Sequence, residues 1–367
     1  MAATHSAPIA TALPPASHGA RRSWASLIIN RRALKRLLAL AVIVAIPLTY
    51  GYIAMVRMPG QSHAGPLPPL SPAQAALSIE LRRDVEALAS GIGKRSTFHP
   101  RSMADAARHI ISELQTAGFA EHEETFVERG SRVPNIAVEI AAAPGSPTSG
   151  EVVVVGAHYD SYQGTPGADD NASGVAATLA LARRFRDPSA LPLARALRFV
   201  FFVNEEPPSF MTDDMGSLVY ARHCRARGDR IVAMLSLETL GFYTDIPGYQ
   251  TYPPLVHHLY PDRGDFIAFI GRYTDRDLVK RCIGEFRARA AFPSEGAALP
   301  ATVPGVGWSD HWAFWQCGYP AIMVTDTANY RNPHYHIDSD TPDKLDYDRT
   351  ARVVEGLESV VRALCSP

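Results

Sequence analysis

Residues 152–174 read VVVVGAHYDSYQGTPGADDNASG. Val152 to Val155 are a run of β-branched residues with no polar alternation, the pattern of a strand buried on both faces of a parallel sheet. His158 and Asp160 follow at the strand's tip, a Gly/Pro-rich loop comes next, and Asp169 and Asp170 arrive just ahead of a helix expected from Ala172. Open α/β sheets gather their sites at the carboxyl ends of strands. Imidazole and carboxylates in that position make a metal site the question to ask of the rest of the chain.

Working outward, apolar positions at helical spacing (Leu77, Leu81, Val85, Leu88) predict a helix over 72–90. A second is expected over 102–117, with Ser102 as N-cap and Gly118 as stop signal. Strands are expected at 123–128, 133–140, 151–157, 197–203, 233–237, 266–270 and 321–325, and further helices at 172–186, 216–226, 275–290, 311–317 and 347–364. This alternation predicts an α/β fold with a mostly parallel mixed sheet and helices on both faces. One long stretch, 243–265, fits no element. It is rich in Pro and carries Tyr243, Tyr249, Tyr252 and Tyr260, which suits a loop that covers or lines a cleft.

The chain has 367 residues and a formal net charge of −1, enough for a full core and without the charge that would point to nucleic acid. Its amino-terminal part is not domain material. Residues 1–23 are rich in Ala, Ser, Pro and His without any period, and read as disordered. A basic cluster ending in Lys35 and Arg36 precedes an uncharged run from Leu37 to Val56, whose 20 residues suffice as a helix for a bilayer core. The positive-inside rule then assigns residues 1–36 to the cytoplasm, 37–56 to a transmembrane signal anchor, 57–71 to a Pro/Gly-rich linker and 72–367 to one domain facing the periplasm or exterior. A cleaved signal peptide, with Ser62-His63-Ala64 as cleavage site, fits less well because the apolar run exceeds a usual h-region. Cys224, Cys282, Cys317 and Cys365 have no CxxC spacing, and are either buried thiols or disulfide partners.

Five groups of acids or imidazoles end or follow predicted strands: His158/Asp160, Asp169/Asp170, Glu205/Glu206, Glu238, and Ser309-Asp310-His311 with Tyr335-His336. A parallel sheet would bring them to one rim, where bare negative charge is costly and a divalent cation relieves it. Mixed imidazole and carboxylate donors without thiolate suit zinc, with manganese or cobalt as lesser candidates, and the donor set is large enough for two ions sharing a carboxylate.

The motifs His158-x-Asp160, Gly167-Ala168-Asp169-Asp170-Asn171-Ala172-Ser173-Gly174, Asn204-Glu205-Glu206, Ser309-Asp310-His311 and the late His336 resemble the co-catalytic dizinc aminopeptidases of family M28, in the family's order. The resemblance implies two Zn2+ per chain. It implies His158 and Glu238 on one ion, Glu206 and His336 on the other, and Asp170 bridging both. It further implies Glu205 as general base, Asp160 as the carboxylate orienting His158, and Tyr335 as a phenol that stabilises the oxyanion. Substrates would be peptides or aminoacyl compounds. Two departures stand out: Glu238 occupies a position that is more often Asp, and residues 207–214 replace a short Gly-rich continuation, which predicts a reshaped cleft. The rival readings are a one-zinc glutaminyl-peptide cyclotransferase on the same fold, and a non-catalytic binding ectodomain.

Overall fold

β3 (Glu151–His158) is the strand announced by the opening stretch, and Val152 to Val155 are all buried. It pairs in parallel on both sides, with β4 (Ala196–Phe202) and β5 (Arg230–Glu238), and β8 (Ala321–Thr325) continues the parallel set beyond β5. The edges run otherwise. β2 (Ser131–Ile140) lies antiparallel to β4 and carries β1 (His122–Glu128), while β6 (Ile267–Arg272) lies antiparallel to β8 and carries β7 (Ser294–Leu299) parallel to itself. The sheet order is β1-β2-β4-β3-β5-β8-β6-β7.

This computed structural model describes residues 31–120, 122–128, 131–186, 192–254 and 256–367. The disorder expected over 1–23 lies outside them. The chain divides into one unit ending at Tyr50 and a second from Gly51 to Pro367. α1 (Arg31–Gly51) retains Pro47 in its interior, and a π-helical turn, Tyr52–Val56, follows. The stretch Leu34–Val56 is long and apolar enough to cross a membrane by length and composition.

Strand alternation divides the core between two faces. Val153, Val155, Phe199 and Leu235 face α2 (Pro72–Glu86), α3 (Pro100–Thr116), α4 (Gly174–Arg186), α6 (Arg276–Arg289) and α8 (Tyr347–Leu364). Val154, Val200, Phe202 and Met234 face α5 (Gly216–Arg227) and α7 (His311–Gln316). Helices thus lie on both faces of a mixed sheet whose centre is parallel, as the sequence pattern predicts.

Two expectations are corrected and one strand is new. α3 starts at Pro100 with His99 as N-cap, so Ser102 is not its cap; proline at the first position has no N–H to leave unsatisfied. β7 was not foreseen, because SEGAAL contains no β-branched residue. The 57–71 stretch is not a free spacer: Met58 and Leu67 pack on the core, and Ser62 Oγ accepts from the Ser294 N–H at 2.8 Å. Met58 occupies the space that a side chain at Gly296 would need, since a Cβ there would lie 2.8 Å from Met58 Cγ. All four cysteines are free, and Cys224, Cys282 and Cys365 are buried thiols.

The contact between α6 and α8 is close enough to be tested. A Cβ at Gly356 would collide with the Phe286 ring and lie 2.9 Å from the Ala290 Cβ. Gly356→Ala is expected to destabilise the domain by about 1–3 kcal/mol through overpacking, read as a lowered urea midpoint at unchanged slope.

Candidate active site

The parallel set delivers His158, the last residue of β3, beside Glu238, the last residue of β5, while Glu205 and Glu206 follow just after β4. Asp170 comes from a π-helical turn, Ala168–Ser173, that leads into α4 and contains a cis Asp170–Asn171 peptide. His336 comes from the loop ahead of α8. Asp170 stands between the two imidazoles: Oδ1 is 3.3 Å from His158 Nε2 and Oδ2 is 3.0 Å from His336 Nε2. Glu238 Oε2 lies 3.3 Å from His158 Nε2, and Glu206 Oε1 lies 3.4 Å from His336 Nε2. Two triads result, His158–Asp170–Glu238 and Asp170–Glu206–His336, each with its ligand atoms within 4.8 Å of one another. The extra methylene of Glu238 does not take its carboxylate out of reach.

Each member is held from behind. The His158 Nδ1–H donates to the Asp160 carbonyl at 3.2 Å, which leaves the Nε2 lone pair aimed at the site. The Asp160 carboxylate stands 3.4 Å from that Nδ1, but its shorter bonds accept from the Glu205 and Glu206 N–H groups, at 3.1 and 3.0 Å. Asp160 therefore fixes the Glu205-Glu206 turn as well as the imidazole. Asp310 is the N-cap residue of α7, and Ser309 Oγ donates to Glu238 Oε2 at 2.7 Å. Asp169 accepts from the Gly241 N–H and from Asn332 Nδ2.

Tyr335, expected at the site, stacks on the His336 ring at a centroid distance of 3.8 Å. Several other residues carry no site signal in the sequence. Tyr162 stacks on the His336 ring as well, at 3.9 Å, and the two fix its plane. Asp340 accepts from the Asp169 and Asp170 N–H groups at 2.8 and 3.2 Å. Asn171 joins the turn to the end of β5, donating to the Leu237 carbonyl and accepting from the Thr239 N–H. Arg95, fully buried, donates to the Leu88, Gly93, Tyr159, Pro166 and Gly167 carbonyls and knits the 159–167 loop beneath the site. An isolated Arg in GIGKRST and an isolated Asp in IDSDTP carry no sequence signal; only the fold gives them meaning. His334 bonds Ser339 Oγ and His257 and His258 are exposed, so none joins a triad.

Electrostatics agree with a cation site. Burial pushes Glu206 up to about 8, with the Asp170 charge adding to the effect, and pushes Glu205 well above the usual carboxylate range against the opposing pull of His158. For Asp170 burial also acts upward, but the His158 and His336 imidazoles override it and hold the carboxyl low. Despite burial, Asp170 and Glu206 raise His336 to about 10. The site thus holds protons against a concentrated negative field, and a divalent cation would displace them. The fit is also visible atom by atom: His158 Nε2, His336 Nε2 and Glu206 Oε1 are buried and converge with no hydrogen-bond partner. These donors, two imidazoles and three carboxylates, suit zinc.

An apolar cavity of about 830 Å3, counted with its open mouth, adjoins the triads and includes Glu238 and Tyr335 in its wall. Tyr252, Val256 and Tyr260 contribute to it, so the 243–265 loop lines the cleft as expected. The 207–214 stretch does not. It folds as successive turns exposed at Met211 to Asp214, and none of its residues lines this cavity.

Fold and triads together define a metallopeptidase. The model of "Peptidase family M28" matches residues 135–361. The protein YfbL of Escherichia coli strain K12 is 40% identical over 277 residues, covering 71% of this chain and 82% of that one. The probable leucine aminopeptidase 1 of Trichophyton verrucosum is 28% identical over 290 residues, covering 75% and 70%. Two solved structures share the fold: a zinc aminopeptidase from Bacillus subtilis, with TM-score 0.62 at 13% identity over 79% of this chain and 95% of that one, and the glutaminyl cyclase of Fimbriiglobus ruber, with TM-score 0.55 at 18% identity over 82% and 98%. The chain belongs to peptidase family M28.

His311 offers a test beside the triads. Its Nε2–H donates to the Val306 carbonyl at 2.8 Å, and burial pushes its pKa from 6.5 down to about 4. The unfolded chain takes this proton first on acidification, so the stability His311 contributes is complete above the unfolded pKa and is lost as pH falls through the folded one. Urea midpoints of His311→Gln are expected to fall less steeply with acidification than those of the wild type across that window.

Proposed function

We propose that this metallopeptidase is an aminopeptidase working with two zinc ions, held at a membrane by its amino-terminal helix. The single observation that carries the reading is the pair of complete triads sharing Asp170, with its two oxygens turned to different imidazoles. His158, Asp170 and Glu238 would hold one ion, and Asp170, Glu206 and His336 the other. Zinc in such a pair supplies Lewis acidity and lowers the pKa of water.

The chain's own residues supply the rest. Glu205, whose Oε2 lies 3.9 Å from His158 Nε2, takes the proton of the attacking water and passes it to the leaving amine. Burial raises its proton affinity, which suits a group that must hold a proton between the two steps. Asp160 keeps Glu205, Glu206 and His158 in register through its bonds to both N–H groups. Tyr335, its phenol kept protonated by burial and by the surrounding carboxylates, can donate to a developing oxyanion. The basic residues ahead of Leu37 assign the amino terminus to the cytoplasm and the catalytic domain to the other side.

The likeness in fold to a glutaminyl cyclase leaves the reaction to be decided by the site, where the second triad favours hydrolysis with two metals. Glu205→Gln is expected to retain both zinc ions by elemental analysis while kcat falls by about 10^2- to 10^4-fold. Asp170→Asn is expected to lose zinc stoichiometry itself. One zinc per wild-type chain together with cyclisation of amino-terminal glutamine would overturn the proposal, and zinc-loaded protein inert toward a broad aminoacyl panel would favour a binding ectodomain.

A further inference from the structure

The cavity beside the triads has a direction, set by the strand register. Glu238 pairs with Thr325 across β5 and β8, Thr325 with Ala268 across β8 and β6, and Ala268 with Glu295 across β6 and β7. Directly paired residues point to the same face of a sheet. The four therefore form one row, a carboxylate at each end and two small side chains between, and all four line the cavity. Three strand spacings separate the ends, roughly 14 Å. The next row, Met323, Ile270 and Ala297, also lines it and is wholly apolar.

Helix cover explains why this trench exists. α5 and α7 cover the same face over the other strands, whereas α6 packs on the opposite face of β6 and β7. Loops roof the trench instead, through the Tyr252–Tyr260 pair, whose rings stack at 5.8 Å, and through Val303 to Val306.

Glu295 is the feature that apolar packing does not account for. Its side chain is only 24% exposed, and its one ion-pair contact among the described residues is Arg287 Nη2 at 3.8 Å, beyond hydrogen-bonding distance. Arg287 spends its donors elsewhere, on the Ser294 carbonyl at 2.6 Å, Ser294 Oγ at 3.1 Å and the Pro59 carbonyl at 3.2 Å. Among the described residues the Glu295 carboxylate accepts no hydrogen bond. Burial raises its pKa, the Arg287 charge opposes the rise without cancelling it, and the Asp265 charge adds to it. A half-buried carboxylate at the end of an apolar trench is an incomplete ion pair.

We propose that the trench receives the side chain of a basic amino-terminal residue, lysine or arginine, and that Glu295 is the residue that selects it. The aliphatic stem of such a side chain covers the Thr325, Ala268, Met323 and Ile270 surface. Its cationic tip meets the Glu295 carboxylate where little water screens the attraction, with the Tyr252 and Tyr260 rings beside it. A leucine side chain uses the same walls but stops short of Glu295. Glu295 touches neither the triads nor Glu205, so it is a determinant of specificity and not part of the catalytic machinery.

The inference rests on the aminopeptidase reading for its substrate, and the test separates the two. Zinc-loaded full-length protein carrying Glu205→Gln is titrated calorimetrically with L-argininamide, L-lysinamide and L-leucinamide, alone and with Glu295→Gln added; thermal unfolding verifies that each variant is folded. The basic amides are expected to bind at least about tenfold more tightly than leucinamide, and that advantage is expected to vanish with Glu295→Gln. Turnover of the matching aminoacyl amides by protein with Glu205 intact should show the same about 10- to 100-fold loss of preference on Glu295→Gln, with leucyl turnover unchanged. Equal binding of the three amides, or a preference indifferent to Glu295→Gln, overturns the proposal. Selective binding without turnover of any amide upholds the trench and overturns the aminopeptidase reading instead.

Discussion

The structure depends on keeping carboxylates together where water cannot screen them. Asp170, Glu205, Glu206 and Glu238 are each no more than 5% exposed, and Asp310 is wholly buried beside them. Ionised together without compensation, such groups would drive the rim apart. The two imidazoles divide the shared Asp170 carboxylate between them but do not balance the total, and Glu205 and Glu206 hold protons tightly because burial disfavours their charge, with the neighbouring carboxylates adding to the effect. The site is built for a positive charge that the protein itself does not carry.

Holding that geometry falls to uncharged donors and to one buried cation. Peptide N–H groups at Glu205 and Glu206 meet Asp160, and those at Asp169 and Asp170 meet Asp340. Arg95 satisfies five carbonyls from two stretches of chain, so its charge reinforces the loop beneath the site without entering it. Burial lowers Arg95 to about 10, still protonated at neutral pH. Such partners would preorganise ligands without competing for a metal, because N–H donors offer no lone pair to the triads.

What could be read in the sequence follows from how local each signal is. The strand at Val152 declares itself by an unbroken β-branched run, and His158, Asp170, Glu205-Glu206 and Glu238 are visible because strand ends point to one rim. β7 has no such run, and its place is set by pairing with β6 rather than by its own composition. The contact of Ser309 with Glu238 depends on α7 lying over the end of β5, which no local pattern encodes. Tyr162 stacks on His336 from a loop far away in sequence, and Arg95 is another residue of this long-range kind. The 57–71 stretch misleads for a related reason: its Pro and Gly content suits a spacer, yet Met58 has an apolar seat above Gly296.

The reversal at β6 links the catalytic rim to the cavity. A parallel β6 would have brought its carboxyl end to the rim; running antiparallel to β8, it brings its amino-terminal end there, and β7 follows in the same sense. Glu295, early in β7, is therefore level with Glu238 at the end of β5, although 57 residues separate them in sequence. The same reversal fixes α6, which follows β6 and leads into β7, on the face opposite the triads, so loops and not a helix cover the trench. A loop roof can vary in sequence without disturbing the strands that carry the triads. The candidate metal site is thus tied to the parallel strands and their buried charge, whereas the proposed side-chain selection is tied to the reversed pair at the edge.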